Sequence, residues 1–324
     1  SYSVASASQI DIAVATANLA GETWSALMPA MRAQILREAA RAIQSRRTGL
    51  IALMARDAGK PIMEADAEVS EAIDFANYYA EQSLKLANDS SSQGTVLVVP
   101  PWNFPFAIPL GGVCAALAAG NSVILKPAPE TVATAFAIAE ILWQSGVPRD
   151  VLQFVPTRDD EVGKHLVTHS GIATVILTGA FDTAQLEPGE KWLLKPKQLD
   201  QEGYLWSAGI KLGVRAGSWS HQNEWFGPIL GLMRSENFDQ AIEWQNATEF
   251  GLTAGIASLD EAECSEWVAR VEAGNLYVNR GITGAIVARQ PFGGWKRSSV
   301  GPTAKAGGPR YLEQLRNWNS IESA

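Results

Sequence analysis

An α/β fold with a doubly wound parallel sheet is what this sequence predicts, on three observations. Short apolar or β-branched runs alternate with amphipathic segments from Val96 to Leu177, the order that βαβ units require. The chain has 324 residues, 47% hydrophobic and 19% charged, enough apolar material for about two domains. After Gln185 the alternation gives way to Gly- and Trp-rich sequence, which marks a second region.

Each element follows from its pattern. Residues 9–22, 29–57 and 64–86 carry helical periodicity, the second with Ile35, Leu36, Ala39, Ile43, Leu50, Leu53 and Met54 on one side and Gly59 and Pro61 as its stop. Val96–Val99 and Val123–Leu125 read as buried strands, with a small-residue helix over Leu110–Ala119 between them, ended by Gly120. Helix is expected over 133–145 and 161–168, and strand over 151–155 and 174–177. Residues 186–222 read as irregular. Beyond them come strand 229–233, helix 238–246, strand 253–257, helix 261–273, strand 275–279, a Gly-rich loop and a short helix near 311–315.

Composition excludes several classes. The net charge is −8 with Lys and Arg scattered, so no cationic stripe exists to neutralise a nucleic-acid backbone. Two cysteines, Cys114 and Cys264, rule out a disulfide scaffold and fit a reducing, cytoplasmic setting. The N-terminus has no signal-peptide pattern, and its lack of Met reads as a piece of something longer. Residues 94–125 are free of charge, yet Pro100, Pro101, Pro105 and Pro109 make them unfit for a spanning helix. No membrane span is therefore expected.

Metal and phosphate signatures are weak. His165 and His169 have i, i+4 spacing, but Leu166, Val167 and Thr168 between them supply no metalloprotease glutamate, so no metal site is expected. Neither GxGxxG nor GxxxxGK[ST] occurs.

Longer motifs carry more. VPPWNFP at 99–105, AAGNSV at 118–123, KPA at 126–128, LTG at 177–179, EWFGP at 224–228, FGLT at 250–253 and PFGG at 291–294 occur in the order and spacing of aldehyde dehydrogenases, which the chain resembles along most of its length. EVSEAIDFANYYAEQ at 68–82, GNLYVNRGITGAIVARQPFGGWKRS at 274–298 and KAGGPRYL at 305–312 resemble the L-glutamate γ-semialdehyde (Δ1-pyrroline-5-carboxylate) dehydrogenase branch, some members of which are fused to proline dehydrogenase.

The resemblance implies a fold, an activity and a site. The fold is a dinucleotide-binding domain with N-terminal helices over residues 1–185, an incomplete catalytic α/β domain over 186–290, and a segment 291–324 that returns to the first domain or to an oligomer interface. The activity is NAD(P)-dependent oxidation of an aldehyde to a carboxylate, with L-glutamate γ-semialdehyde as substrate in proline catabolism. NAD is the branch's usual coenzyme and NADP stays open. A homo-oligomer, with a proline dehydrogenase domain fused or associated, is the implied assembly. Asn103 would donate to the developing oxyanion. Pro101, Trp102, Lys126, Gly163, Gly179, Glu224 and Phe226 match cofactor-binding positions, with Lys126 at the adenosine ribose. Gly284 and Ala285 match the loop that holds the substrate carboxylate, and Phe292 the aromatic packed on its aliphatic part. Bland roles compete: a turn cap for Asn103, a surface carboxylate for Glu224, a positive-φ turn for Gly284 and core packing for Phe292. Three departures stand out. Pro129, followed by Glu130, occupies a place where a glutamate is common, Ala180 replaces a usual serine, and Asp159 replaces a usual glycine.

The family's nucleophilic cysteine and general-base glutamate are missing. The Gly-Gln-x-Cys and Glu-x-Gly-Gly types of motif do not occur, and Cys114 and Cys264 lie in helical segments elsewhere. After Gln185, LEPGEKW resembles a region far downstream, so about one domain's worth of chain, roughly 100 residues, has no counterpart here. Three explanations stay open: an unseen segment in a longer enzyme, an internal deletion, or a non-catalytic module for assembly or channelling. A mass well above 34.8 kDa would select the first.

Overall fold

The computed structural model describes residues 2–86, 90–177, 186–199, 206–225, 227–299 and 304–318. Its contacts divide the chain into two units, one comprising Ser1–Gly179, Ile286–Pro291 and Ala304–Ala324, the other Ala180–Ala285 and Phe292–Thr303. Sequence reading set its boundaries after 185 and 290.

In the first unit the order is α1 (Ala7–Ala26), α2 (Pro29–Ser45), α3 (Arg47–Ala58), α4 (Ile62–Ser83), β1 (Ser90–Ser92), β2 (Thr95–Val99), α5 (Ala107–Ala118), β3 (Ser122–Leu125), α6 (Val132–Gln144), β4 (Leu152–Phe154), α7 (Glu161–Val167) and β5 (Thr174–Leu177). Four strands form one parallel sheet in the order β4-β3-β2-β5. Strand alternation sorts their side chains into two cores. Val96, Val98, Val123 and Leu125 pack with the buried faces of α2 to α6, whereas Leu97 and Ile124 pack with Ile10, Val14 and Ala17 of α1 and Leu166 of α7. Helices therefore cover both faces, as the doubly wound expectation requires. Small residues set the spacing: a Cβ on Gly111 would meet the Phe75 ring at 3.1 Å, and one on Gly112 would meet Val98 at 3.1 Å.

Three local differences from the sequence reading have physical causes. The single helix expected over 29–57 is two, broken at Arg46, and Arg47 pins the second to α4 through Asp66 at 2.7 Å. Helix α5 starts at Ala107, earlier than expected, because proline is tolerated in a first turn, where Pro109 lies. Two short strands went unseen: Ser90–Ser92 has no apolar pattern to read, yet it pairs antiparallel with a C-terminal strand described below.

The second unit contains β6 (Lys191–Leu194), β7 (Gly209–Leu212), α8 (Trp219–Gln222), β8 (Ile229–Leu232), α9 (Phe238–Asn246), β9 (Phe250–Gly251), β10 (Thr253–Ile256), α10 (Glu261–Arg270), β11 (Asn275–Val278) and β12 (Trp295–Lys296). Strands β6-β7-β8 form a mixed sheet, β10 and β11 a parallel pair, and β9 and β12 an antiparallel pair. The span 186–222 is thus not irregular. A lysine at the centre of a four-residue strand hid β7: Lys211 is fully buried, 3.1 Å from Glu190, 3.2 Å from the Ser220 hydroxyl and 4.3 Å above the Trp225 ring.

The tail rejoins the first unit. A 3-10 turn at Glu313–Leu315, in place of the expected short helix, leads to β13 (Arg316–Trp318), the partner of β1. Gly307, at φ +72°, donates its N–H to the Tyr79 hydroxyl at 2.8 Å, and the Tyr79 and Tyr311 rings lie 5.8 Å apart. Two of the motifs with the narrower resemblance, at 68–82 and 305–312, therefore contact each other. Asn121 ties the tail further, accepting from the Gln93 and Gly94 amides and donating to the Leu315 carbonyl at 3.0 Å. No helix among the described residues is long and apolar enough to cross a membrane.

Candidate active site

The strand registers put several predicted residues on one edge of the parallel sheet. Val98 pairs with Leu125, Val99 with Leu177, and Leu125 with Phe154, so the chain leaves all four strands at one level. Pro101, Trp102 and Asn103 follow β2, and Lys126 follows β3 directly. The chain visits β2, β3 and β4 in turn and then crosses to the other side of β2 for β5. That makes the carboxyl end between β2 and β5 a topological switch point, where open α/β sheets bind ligands. Gly179, two residues beyond β5, lies outside the described residues, as does Phe226.

The Pro101–Pro105 loop is held from below. Lys60, after α3, donates from Nζ to the Asn103 carbonyl at 2.8 Å, lies 2.5 Å from Glu68 of α4, and sits 3.8 Å over the Phe104 ring. Glu68 Oε1 accepts from the Phe106 and Ala107 amides at 2.7 and 3.0 Å, groups that α5 leaves open at its start. Both charges are buried, Lys60 at 6% exposure and Glu68 at 1%. Beside them, burial and then the nearby Glu68 carboxylate push the Glu71 carboxyl up to about 7, with Lys60 opposing. The side-chain amide of Asn103, half-buried, makes no hydrogen bond among the described residues, so it caps no turn and stays available as a donor. Sequence reading did not single out Lys60 or Glu68, since neither carries a recognisable spacing.

Lys126 is 4% exposed, and its Nζ lies 2.6 Å from Asp159 Oδ1, on the loop between β4 and α7. Two residues earlier Thr157 is buried, and its hydroxyl has no hydrogen-bond partner among the described residues. Gly163, in the first turn of α7, has a structural reason to be glycine, because a Cβ there would stand 2.3 Å from the Arg158 carbonyl oxygen.

In the second unit, Glu224 is exposed and Phe292 half-buried, the latter outside the core clusters. Gly284 has φ +94°, a conformation that L side chains rarely adopt, so a turn requirement accounts for it by itself. Ala285 follows, half-buried.

The two cysteines lie in helices, Cys114 in α5 and Cys264 in α10. Burial pushes the Cys114 thiol up to about 12, which leaves a negligible thiolate fraction at neutral pH. Cys264 is half-buried, its sulfur 3.7 Å from the Ser258 carbonyl.

The histidine pair has a third neighbour that sequence spacing did not reveal. Asp11 of α1 lies 2.7 Å from His165 Nε2 and 3.3 Å from His169 Nε2. His169 Nδ1 accepts the Gly171 N–H at 3.0 Å, which places the proton of a neutral His169 ring on Nε2 and directs it at Asp11. A ring so fixed offers that nitrogen no lone pair for a cation, and the cluster reads as a hydrogen-bonded clamp between α1 and α7. The His165 bond is first among the causes that hold the Asp11 carboxyl below its usual range.

Comparison with known proteins completes the description. The chain matches the aldehyde dehydrogenase family over residues 1–187 and again over residues 182–321. It is 31% identical over 427 aligned positions to a 1-pyrroline-5-carboxylate dehydrogenase of Geobacillus thermodenitrificans, covering 93% of this chain and 82% of that one. That alignment is longer than the chain's own 324 residues, so the relative contains a stretch without a counterpart here. Among solved structures, proline utilization A from Corynebacterium freiburgense superposes with a TM-score of 0.88 at 37% identity, and this chain spans 44% of its length. A Thermus 1-pyrroline-5-carboxylate dehydrogenase with bound NAD superposes with a TM-score of 0.89 at 25% identity, with 98% of this chain and 86% of that chain covered.

Proposed function

Because this chain belongs to the aldehyde dehydrogenase family, we propose that it carries the coenzyme half and part of the catalytic half of a cytoplasmic enzyme that oxidises L-glutamate γ-semialdehyde to glutamate with NAD, in proline catabolism. One observation carries the site assignment: the Pro101–Asn103 loop and Lys126 leave adjacent parallel strands at one sheet edge, beside the switch point. The buried Thr157 hydroxyl, which has no hydrogen-bond partner among the described residues, and the Lys126–Asp159 pair on the same edge suit the hydroxyl-rich ribose of a dinucleotide.

In this reading residues 1–185 bind the coenzyme, residues 186–290 supply part of the catalytic domain, and 291–324 return to the first domain or meet another copy. NAD bound there would supply the hydride acceptor for the oxidation. Lys126 faces the adenosine ribose, Pro101 and Trp102 line the coenzyme path with Gly163 and Gly179, and Glu224 and Phe226 serve the nicotinamide end. Asn103 donates to the oxygen that gains charge, a contact worth about 10²–10³ in rate. Gly284 and Ala285 offer backbone N–H groups to the substrate carboxylate, with Phe292 beside its methylenes. A homo-oligomer and a proline dehydrogenase partner accompany the reading, since one similar solved structure is described as a bifunctional proline utilization A protein.

A second reading, a non-catalytic module for assembly or channelling, is favoured by one feature: Cys114 is buried with its thiol pushed up to about 12, and Cys264 lies in α10 outside the motifs shared with the family. The test is to insert the relatives' additional stretch at the 182–187 junction, where the two family matches meet. Coenzyme reduction with glutamate semialdehyde, lost on Asn103→Ala, is the expected result. A folded insertion product that binds NAD yet never reduces it leaves the module reading.

A further inference from the structure

The β6-β7-β8 sheet is closed on one face only. Trp192, Lys211 and Gly231 pair across the three strands, and on their face Glu190, Ser220 and Trp225 surround the Lys211 ammonium. Strand alternation turns the intervening residues to the other face. There Leu194, Ile210 and Leu230 form one paired row, and Leu212 and Leu232 the next. Leu194, Leu230 and Leu232 are 47%, 54% and 39% exposed, and Ile210 and Leu212 are half-buried. None of the five belongs to a hydrophobic core cluster of the described residues. A sheet that keeps one face in water normally turns polar side chains that way. This face instead has the composition of an interior surface, and a contiguous exposed apolar patch marks an interaction site.

Position in the chain identifies the occupant. Strand β6 begins at Lys191, just after the 182–187 junction where the two family matches meet. The alignment with the Geobacillus relative runs over 427 positions, against 324 residues here, so the additional stretch of roughly 100 residues leaves and re-enters the chain beside β6. A segment of that size carries an apolar face of its own that must be buried against another element. We propose that the face of Leu194, Ile210, Leu212, Leu230 and Leu232 is the docking surface for a polypeptide carrying that stretch, joined at the junction or supplied separately. The proposal rests on family membership, and loss of the coenzyme reading leaves it standing.

The test has two arms. Amide hydrogen exchange of β6, β7 and β8 is compared between the present chain and a chain with the Geobacillus relative's additional stretch inserted at the junction. In parallel, the present chain is co-expressed with that stretch as a separate, tagged polypeptide. Amides of β6 and β8 should exchange at least about tenfold more slowly in the completed chain, or the separate stretch should co-purify with the present chain in equal amounts. Leu194→Lys/Leu230→Lys should abolish the protection and the co-purification while leaving the melting temperature of the present chain unchanged. Leu259→Lys, at a fully exposed leucine off this face, should alter neither. Unchanged exchange in a folded completed chain, protection that survives the double substitution, or failure of both arms to give an assembled product would overturn the proposal. A dimer of the present chain that the double substitution dissociates would also overturn it, by assigning the face to a second copy.

Discussion

Lys60 Nζ and Glu68 Oε2 lie 2.5 Å apart in the core of the first unit, and between them they hold the backbone on both sides of Phe104: Lys60 at the Asn103 carbonyl, Glu68 at the Phe106 and Ala107 amides. The position of the Asn103 amide is thereby set by a buried ion pair from a different part of the chain. Removing one charge strands the other. Lys60→Met should cost about 3–5 kcal/mol of unfolding free energy. Lys60→Met/Glu68→Gln should recover much of that, because glutamine still accepts the two amides and no charge stays buried. Urea denaturation of the single and double variants measures the coupling, and simple additivity would mean the pair does not act as a unit.

Glu71 gives a pH signature. Its folded carboxyl titrates at about 7, against 4.5 as its ordinary value, so the folded state holds the proton more tightly than the unfolded state. Stability from this group is complete below pH 4.5 and declines as pH rises through 7, by on the order of 2 kcal/mol after allowance for partial exposure. Glu71→Gln should be more stable than wild type above pH 7 and show a flatter profile between pH 4.5 and 7. Parallel profiles for the two proteins would remove burial of Glu71 as the cause.

Asp11 runs with the opposite sign. Its carboxyl is depressed by His165, so the contribution is present above its ordinary value of 3.8 and lost as pH falls through the lower folded value. Asp11→Asn should soften the acid limb of the stability curve. It should leave zinc affinity of the chain negligible before and after, since His169 directs a proton at this position. Tight, stoichiometric zinc binding that Asp11→Asn abolishes would contradict the clamp.

Ala285 separates a substrate loop from a mere turn. In a chain completed at the 182–187 junction, Ala285→Leu should raise KM for the amino-acid aldehyde about tenfold or more and leave KM for NAD and the melting temperature nearly unchanged. Equal loss with a short uncharged aldehyde would make the loop structural, which the φ of +94° at Gly284 alone could explain.

Much of the first unit was legible because its signals are redundant. Val96–Val99 and Val123–Leu125 are short, apolar and β-branched, and Gly59 at φ +65° stops α3 where the sequence puts the stop. Where a polar group is buried, pattern reading failed: Lys211 concealed β7, and Ser90–Ser92 joined β13 through backbone pairing that no hydropathy pattern reports. The edge position of Pro101–Asn103 and Lys126 followed from strand order. The Lys60–Glu68 support and the Lys126–Asp159 pair did not, because each joins residues of different segments at no recognisable spacing, through charge that looks like ordinary surface composition. Asp11 beside the histidine pair escaped for the same reason.

We propose that this chain keeps coenzyme- and substrate-binding residues without a working nucleophile. The most direct test is NADH formation, followed by absorbance, from glutamate semialdehyde and NAD with the chain of the present sequence. The account predicts no turnover above the uncatalysed background, and no change on Cys114→Ala or Cys264→Ala. Sustained NADH production that either substitution abolishes would contradict it.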